Sequence, residues 1–246
     1  NGGTLTLLAN CETPNTNQQF DISGNYTLDL NGCTLTGRLE LKTKESNLTI
    51  QDSKGGGKLQ APGDWDTLSV KAGSATIKSG TLASSSKGSP IAFGDGEDCG
   101  TLTIEDGSFE TGYVYIGYDG GKTVISGGAF HELRVNGDYS KRVTLSGGTF
   151  DTVRRYKSGG TIAPADLLKD GYVFVNRDTD AEVSASQAAA LTNVKVVSEK
   201  TANASVSLTV DGTETPYRTF EEALTAAQES DRLPAAYPNH IAVLPP

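Results

Sequence analysis

Short runs of alternating apolar and polar residues recur through the first 160 residues, and most of them are followed by a glycine turn. Six runs are alike, among them Tyr26-Thr-Leu-Asp-Leu-Asn-Gly and Arg142-Val-Thr-Leu-Ser-Gly-Gly. Alignment on the last apolar position of each run gives spacings of 20, 27, 27, 21 and 20 residues. The aligned positions are Leu30, Ile50, Ile77, Ile104, Ile125 and Leu145. A period of about 20 to 30 residues predicts stacked units that share one core.

The segments between these runs have the pattern of further strands. Examples are Arg38-Leu-Glu-Leu-Lys, Thr67-Leu-Ser-Val-Lys and Tyr113-Val-Tyr-Ile-Gly. A leucine-rich repeat would need helical segments and a regular L-x-x-L-x-L-x-x-N pattern, which the chain lacks. Two or three strands per repeat, separated by glycine-rich turns, predict an all-β fold, the parallel β-helix, in a solenoid of stacked coils.

Alternation along each run then assigns its residues to the inside or the outside of the solenoid. Leu28, Leu30, Leu48, Ile50, Leu102, Ile104, Val143 and Leu145 are predicted to point inward. Asp29, Thr49, Thr76, Thr103 and Thr144 are predicted to stack outside. A second inward position follows five residues after the first and holds Leu35, Leu82, Phe109, Phe130 and Phe150. The outer threonine file fits strand propensity, and it is too broken by Asp29 and Val124 to favour an ice-binding surface.

The repeat fades after residue 160, which predicts three regions. Residues 1–160 form the coils, 161–210 form an exit or capping segment with further strands, and 211–246 begin a following module. The last region contains the one convincing helix, predicted over 219–229 with Thr219 as its N-cap and Glu222 at the third helical position. A proline-rich tail follows from Arg232.

Composition narrows the classes of function. No run of 18 apolar residues exists, so no membrane-spanning helix and no membrane insertion are expected. The net charge of −9 disfavours nucleic-acid binding, because phosphate backbones are repelled. Methionine is absent, which favours a mature or excised fragment. Only two histidines and no C-x-x-C pair occur, so neither a zinc site nor a cofactor is expected.

Cys11, Cys33 and Cys99 are too few for a disulfide scaffold. They are expected to be small buried residues, with a Cys11–Cys33 link between neighbouring coils as the alternative.

Several segments resemble large surface proteins of Gram-positive gut bacteria. They are Gly3-Thr-Leu-Thr-Leu-Leu-Ala-Asn, the run from Tyr26 to Gly37, Ser146-Gly-Gly-Thr-Phe, Leu168-Lys-Asp-Gly-Tyr-Val-Phe and the stretch from Val210 to Leu224. The resemblance implies a right-handed parallel β-helix that is secreted or wall-attached. It also implies a role in adhesion or in binding host glycoproteins, immunoglobulins among them. In that family the Tyr-x-Thr-x-x-Glu-Ala helix precedes the Thr-Leu-Thr-Leu-Leu-Ala strand, whereas here it comes last, which suggests a piece of a multi-module protein.

Parallel β-helices also include polysaccharide lyases and hydrolases, so carboxylate clusters were sought. None of the hydrolase motifs N-T-D, D-D, G-H-G and R-I-K occurs in the chain. Asp64 and Asp66 flank Trp65 in a predicted loop, and a second loop holds the candidate calcium ligands Asp95, Glu97 and Asp98. On an acidic protein, such acidic turns are more often simply solvated than bound to a metal. His131 follows Phe130 at a corner and is expected to be a polar surface residue.

A recognition surface has more support in the sequence. Counting from Phe109, Phe130 and Phe150, the fourth residues are Tyr113, Arg134 and Arg154, and the sixth are Tyr115, Asn136 and Tyr156. Because neighbouring strands lie about 4.8 Å apart, these two files would form one aromatic and cationic patch. Tyrosine and arginine are frequent in binding hot spots. Strand propensity alone also accounts for exposed tyrosines.

Two further residues bear on the composition of this patch. Arg155 occupies the inward slot of the last coil, so a flipped strand there would expose Arg155 and remove Arg154 and Tyr156. Trp65 is either a second contact point or a lid on the solenoid side.

The sequence therefore predicts a non-catalytic, monomeric extracellular module without metal or cofactor. It would bind a host protein or glycoprotein, immunoglobulin being one candidate. A pectate-lyase-like lyase or hydrolase is the alternative, and a structural stalk is the third hypothesis.

Overall fold

The computed structural model describes residues 2–13, 19–117, 121–136, 142–157, 160–186, 189–230 and 240–243, with 95–98, 157, 160–162 and 240–243 as backbone only. It is a parallel β-solenoid of about 6 turns, which confirms the predicted fold class. Each coil contributes strands to three faces, named here in the order in which the chain visits them.

The first face carries the strands Gly2–Thr6, Asn25–Asp29, Asn47–Gln51, Lys122–Ile125 and Val143–Leu145, and the second halves of Leu68–Ile77 and Ile91–Ile104. The second face carries Cys11–Glu12, Thr34–Thr36, Lys58–Gln60, Thr81–Ala83 and Ser108–Glu110, and the first halves of Ala129–Asn136 and Thr149–Lys157. The third face carries Gln19–Ile22, Arg38–Leu41 and Val114–Ile116, the first halves of Leu68–Ile77 and Ile91–Ile104, and the second halves of Ala129–Asn136 and Thr149–Lys157.

Inward side chains of the three faces stack into one continuous core. On the second face Phe130 lies between Phe109 and Phe150, with ring centroids 4.6 and 4.8 Å away. The predicted inward residues Leu28, Leu30, Leu48, Ile50, Leu102, Ile104, Val143 and Leu145 are all buried. Alternation was sufficient to find them, because successive side chains of a strand point to opposite sides.

The first coils are in a different register from the predicted one. Leu28, not Leu30, lies opposite Ile50, so Leu30 belongs to the corner that follows the strand. Consequently Thr27 and not Asp29 stands beside Thr49 in the outer threonine file. The file on the first face is Thr4, Thr27, Thr49, Thr76, Thr103, Val124 and Thr144.

Asp29 is buried rather than stacked outside, with 7% of its surface exposed. Its carboxylate accepts the backbone N–H groups of Asn31 and Ser53 at 2.9 and 3.0 Å and the side-chain amide of Gln51 at 3.3 Å. These hydrogen bonds, led by the one from the Ser53 backbone, lower the pKa of Asp29 below its usual 3.8. Asp29 thus connects the corners of two neighbouring coils through these hydrogen bonds.

The two ends of the solenoid differ. After the antiparallel strand Gly160–Ile162 and the 3₁₀ turn Pro164–Leu167, the strands Tyr172–Asn176 and Ala190–Ser198 pair antiparallel with each other. Ala190–Ser198 also pairs antiparallel with Thr149–Lys157 and buries Leu191, Val194 and Val196 against the last coil. At the other end, Leu5 and Phe20 continue inward files of the core but remain exposed.

A small second sheet follows the capping strands. It consists of Val206–Val210, Thr213–Tyr217 and His240–Val243, all antiparallel, with the helix Phe220–Ser230 beside it. Thr219 accepts the N–H of Glu222 at 3.2 Å, as the predicted N-cap requires. A one-turn helix, Glu199–Ala202, was not predicted. The boundary placed between residues 210 and 211 falls inside the hairpin of this sheet.

The expectation that the cysteines are buried is wrong, because Cys33 and Cys99 are half-buried and Cys11 is exposed. None of the three forms a disulfide, so the alternative Cys11–Cys33 link is absent, and Cys11 is exposed because it lies on the uncovered first coil. Cys11 stands opposite Leu35 rather than Cys33. Among the described residues, no helix combines the length and the apolar character that spanning a membrane would require.

Candidate functional site: a tyrosine–arginine patch

The register of the third face decides which of the predicted patch residues are neighbours. Val114 lies opposite Leu133, and Leu133 lies opposite Val153. The prediction that the next inward residue follows Phe109 and Phe130 at the same distance along the chain is therefore wrong by two residues: after Phe109 it is Val114, and after Phe130 it is Leu133. The extra residues form a corner at Thr111 and Gly112, both in the left-handed region with φ of 54° and 66°.

All six predicted residues nevertheless lie on the outer side of the third face. One file consists of Tyr115, Arg134 and Arg154, and the next contains Asn136 and Tyr156. Tyr113 immediately precedes Val114 and so belongs to the file of Glu132 and Thr152. We call these seven residues the tyrosine–arginine patch: Tyr113, Tyr115, Glu132, Arg134, Asn136, Arg154 and Tyr156.

Arg134 is held from two sides. Its Nε and Nη2 atoms donate to the two carboxylate oxygens of Glu132 at 2.8 and 3.0 Å. Its guanidinium carbon lies 3.7 Å from the ring centroid of Tyr113, a cation–π contact. The hydrogen bond to Glu132 is the main cause that raises the pKa of Arg134 above its ordinary value, and the charge of Glu132 adds to it. The group is therefore a fixed, permanent cation.

Glu132 also pairs with a second arginine, since Nε of Arg154 lies 3.2 Å from its Oε1 atom. Sequence reasoning missed Glu132 because the wrong offset put it in a corner. A signal existed, because residues two apart on a strand point to the same side, which places Glu132 beside Arg134.

Tyr113 and Tyr115 are fixed as well. Asn136 donates its Nδ2 hydrogen to Tyr115 Oη at 2.8 Å, across neighbouring strands. The rings of Tyr113 and Tyr115 meet edge to face, with centroids 6.3 Å apart. Tyr156 lies opposite Asn136. The patch is thus a preorganised surface of three phenols, one amide, two guanidinium groups and the carboxylate of Glu132 on rigid strands.

The strand that contains Arg155 is not flipped. Arg155 points inward, opposite Val135, and is buried, while Nη1 donates to Asp166 Oδ2 at 2.9 Å. Asp166 comes from the 3₁₀ turn of the capping segment. Because Arg155 finds a partner there, Arg154 and Tyr156 keep their outward positions.

Trp65 stays apart from the patch. It is 45% exposed, and the guanidinium carbon of Arg38 lies 4.4 Å from its ring centroid. Trp65 shortly precedes Leu68, and Leu68, Ile91 and Val114 follow one another in successive coils, so Trp65 is two coils away from Tyr113. At about 4.8 Å per coil, this is a separation of about 10 Å along the axis.

The carboxylate candidates do not form a metal centre in the described part of the chain, where no group of three suitable ligands occurs. Asp64 binds the Ser85 hydroxyl at 2.6 Å and Lys87 at 3.1 Å, and Asp66 accepts the Ser89 N–H at 2.8 Å. Both aspartates therefore organise loops. The candidate calcium ligands Asp95, Glu97 and Asp98 were predicted to lie in a loop, but their backbone belongs to the strand Ile91–Ile104, and their side chains lie outside the described residues.

The second face holds a shallow cleft of about 260 Å³ that the sequence did not single out. Glu110, His131, Asp151 and Arg177 line it. His131 Nδ1 lies 3.3 Å from Asp151 Oδ2, and Arg177 Nη1 lies 2.7 Å from Asp151 Oδ1. Glu110 pairs with Lys58 at 3.0 Å. As expected for His131, this is an exposed polar position.

The described charged side chains on the outer side of the third face include more cations than carboxylates. The described side chains that point outward from its strands include five cations, Arg38, Lys42, Lys71, Arg134 and Arg154. They include three carboxylates, Asp21, Glu40 and Glu132. Among these described side chains the cations outnumber the carboxylates, on a chain whose net charge is −9; the side chains of Asp95, Glu97 and Asp98 are not among them.

Comparison of the chain with protein-family models, with curated proteins and with solved structures finds no match in any of the three. The geometry of the site is therefore the basis for a functional proposal.

Proposed function

We propose that this chain is a non-catalytic recognition module that binds a host protein or glycoprotein through the tyrosine–arginine patch. The main observation behind this proposal is the preorganisation of Arg134, which is fixed by two hydrogen bonds to Glu132 and by a cation–π contact with the Tyr113 ring. A side chain held in its binding geometry loses little conformational entropy when a partner arrives. Tyrosine and arginine are also the residue types that supply much of the binding energy at interfaces.

The proposed setting is extracellular, either secreted or attached to a cell wall, with the module acting as a monomer. The resemblance to bacterial surface proteins supports this setting, and immunoglobulins are one class of partner to be tested. A regular solenoid with its binding residues on strands offers a rigid surface, which suits recognition of a folded partner.

A pull-down from serum or mucus, followed by affinity measurement on the captured protein, tests the proposal. Tyr115→Ala and Arg134→Ala should each weaken binding by more than about 1 kcal/mol if they are hot spots. A matched double variant, Tyr217→Ala with Arg177→Ala, removes the same residue types elsewhere and should bind at full strength. Full-strength binding by Tyr115→Ala/Arg134→Ala would remove this face from consideration and leave the Trp65 loop as the next candidate.

A polysaccharide hydrolase or lyase is the second candidate, and the cleft on the second face favours it. Glu110, His131 and Asp151 follow Phe109, Phe130 and Phe150, so they stand in successive coils, and the two carboxylate positions are about 10 Å apart. Inverting hydrolases separate their carboxyl groups by about 6.5–9.5 Å. However, both carboxylates are more than half exposed and ion-paired, whereas a general acid needs apolar surroundings. Recognition is therefore the preferred proposal.

A further inference from the structure

Arg134 and Arg154 share a single carboxylate. They lie opposite each other on neighbouring parallel strands, so their Cα atoms are about 4.8 Å apart. Both pair with Glu132, and neither contacts another carboxylate among the described residues. Two guanidinium groups against one carboxylate leave one positive charge uncompensated at the surface.

The hydrogen-bonding capacity of this pair is also incompletely used. Arg134 donates through Nε and Nη2, which leaves Nη1 without a partner in the described structure. Arg154 approaches Glu132 most closely through its Nε, its terminal nitrogens have no hydrogen bond among the described residues, and its side chain is 45% exposed. Adjacent guanidinium N–H groups in a fixed plane are the donors that bind a carboxylate with two parallel hydrogen bonds.

The surroundings favour a sugar as the carrier of that carboxylate. Tyr115, Tyr156 and the Asn136 amide stand in the same and the next file, within one or two strands of the arginines. A tyrosine ring offers an apolar face for the C–H groups of a sugar and a hydroxyl for its polar groups. An amide can both donate to and accept from sugar hydroxyls.

We infer that the tyrosine–arginine patch binds a sugar that carries a carboxylate, with the carboxylate on Arg134 and Arg154. This inference rests on the proposed recognition function and names the chemical group recognised. Such a sugar could be the terminal sialic acid of a glycoprotein or a uronic acid within a polysaccharide. A polyanion would be repelled by the net charge of −9, so the terminal sugar is the expected source.

The experiment uses the whole chain and two soluble pairs of probes. Binding of sialyllactose is compared with that of lactose, and binding of a sialylated serum glycoprotein is compared before and after sialidase treatment. An oligogalacturonate serves as the uronic-acid probe. We expect binding of sialyllactose but not lactose, and loss of glycoprotein binding by at least about tenfold after sialidase, because hydrogen bonds to charged groups contribute about that much.

Variants test the assigned residues. Arg154→Gln should weaken sialyllactose binding by about tenfold or more, and Arg154→Lys should not restore it, because the ammonium lacks the planar pair of donors. Arg177→Gln removes the same charge from the second face and should bind like the unaltered chain. Equal weakening by Arg154→Gln and Arg177→Gln would overturn the assignment and leave only a general charge effect.

The remaining outcomes separate this inference from the proposed function. Unchanged binding of the sialidase-treated glycoprotein, still weakened by Tyr115→Ala, would overturn the acidic sugar and preserve recognition by the patch. Preference for the oligogalacturonate would overturn the terminal sugar as the source. Absence of binding to every probe and to captured serum or mucus proteins would overturn both.

Discussion

Phe130 stacks on Phe150, with their ring centroids 4.8 Å apart and their planes inclined by 17°. Because Phe109 stacks on the other side in the same way, the three rings form a ladder inside the second face. The ladder joins the coils that carry the tyrosine–arginine patch, since Glu132 and Arg134 follow Phe130 on one strand. Core packing and the geometry of the patch are therefore linked along the chain.

Phe130→Ala should lower the free energy of unfolding by about 3–5 kcal/mol, because Phe130 is only 2% exposed and its loss leaves a cavity. Urea unfolding measures this change. Phe20→Ala is the matched control, since Phe20 is 40% exposed on the uncovered first coil and should cost much less. Equal losses for the two variants would contradict the stacking arrangement.

Much of this core could be predicted from the sequence, because inward and outward positions follow from local alternation. The register in which neighbouring coils pair could not be predicted. Leu28 and Leu30 both point inward, so either can be aligned with Ile50 without violating the pattern. Corner length is also set by backbone conformation, and the left-handed pair Thr111 and Gly112 adds two residues that alternation does not reveal.

The candidate site shows the same division. Outward placement of Tyr115, Arg134 and Arg154 was predicted, whereas their grouping into one file depends on register. The role of Glu132 could not be inferred once its strand position was misassigned. Pairing of Arg155 with Asp166 joins residues from a coil and from the cap, and no repeat pattern reports such a contact.

Asp29→Asn should destabilise the chain at neutral pH by an amount that disappears in acid. The pKa of Asp29 is lower in the folded chain than its usual 3.8, chiefly because of the Ser53 backbone hydrogen bond. The ionised group therefore stabilises the fold above the unfolded-state pKa, and this contribution is lost as the pH falls through the folded value. Thermal melting from about pH 7 to about pH 2 measures the difference between the two proteins.

Thr49→Ser on the same face changes no charge and should shift the melting temperature equally at every pH. A deficit in Asp29→Asn that persists unchanged at about pH 2 would show that shape rather than charge explains the role of Asp29.

Asp166→Ala should lower the free energy of unfolding by about 1–3 kcal/mol, because it leaves the buried Arg155 without its carboxylate partner. Arg155→Leu combined with Asp166→Ala should recover most of that loss, since an apolar side chain opposite Val135 needs no partner. Asp170→Ala, an exposed aspartate on the next turn, is the control. A double variant less stable than Asp166→Ala alone would contradict an inward Arg155.

Cleavage of polysaccharides by this chain should be undetectable. Asp151 is tied to His131 and Arg177, and Glu110 is tied to Lys58, so each carboxylate of the second-face cleft is engaged in an exposed ion pair. An acid catalyst needs a site that keeps its proton in place at neutral pH, and a lyase needs a base held against its substrate. Incubation with pectin, alginate and glycosaminoglycans, with and without calcium, should give no new reducing ends and no unsaturated products.

Turnover that is abolished by Glu110→Gln or Asp151→Asn, but not by Asp64→Asn, would place catalysis in this cleft. Turnover abolished by Asp95→Asn or Asp98→Asn would place it at residues 94–100 of the strand Ile91–Ile104 instead. Either result would rank the enzyme above the recognition module.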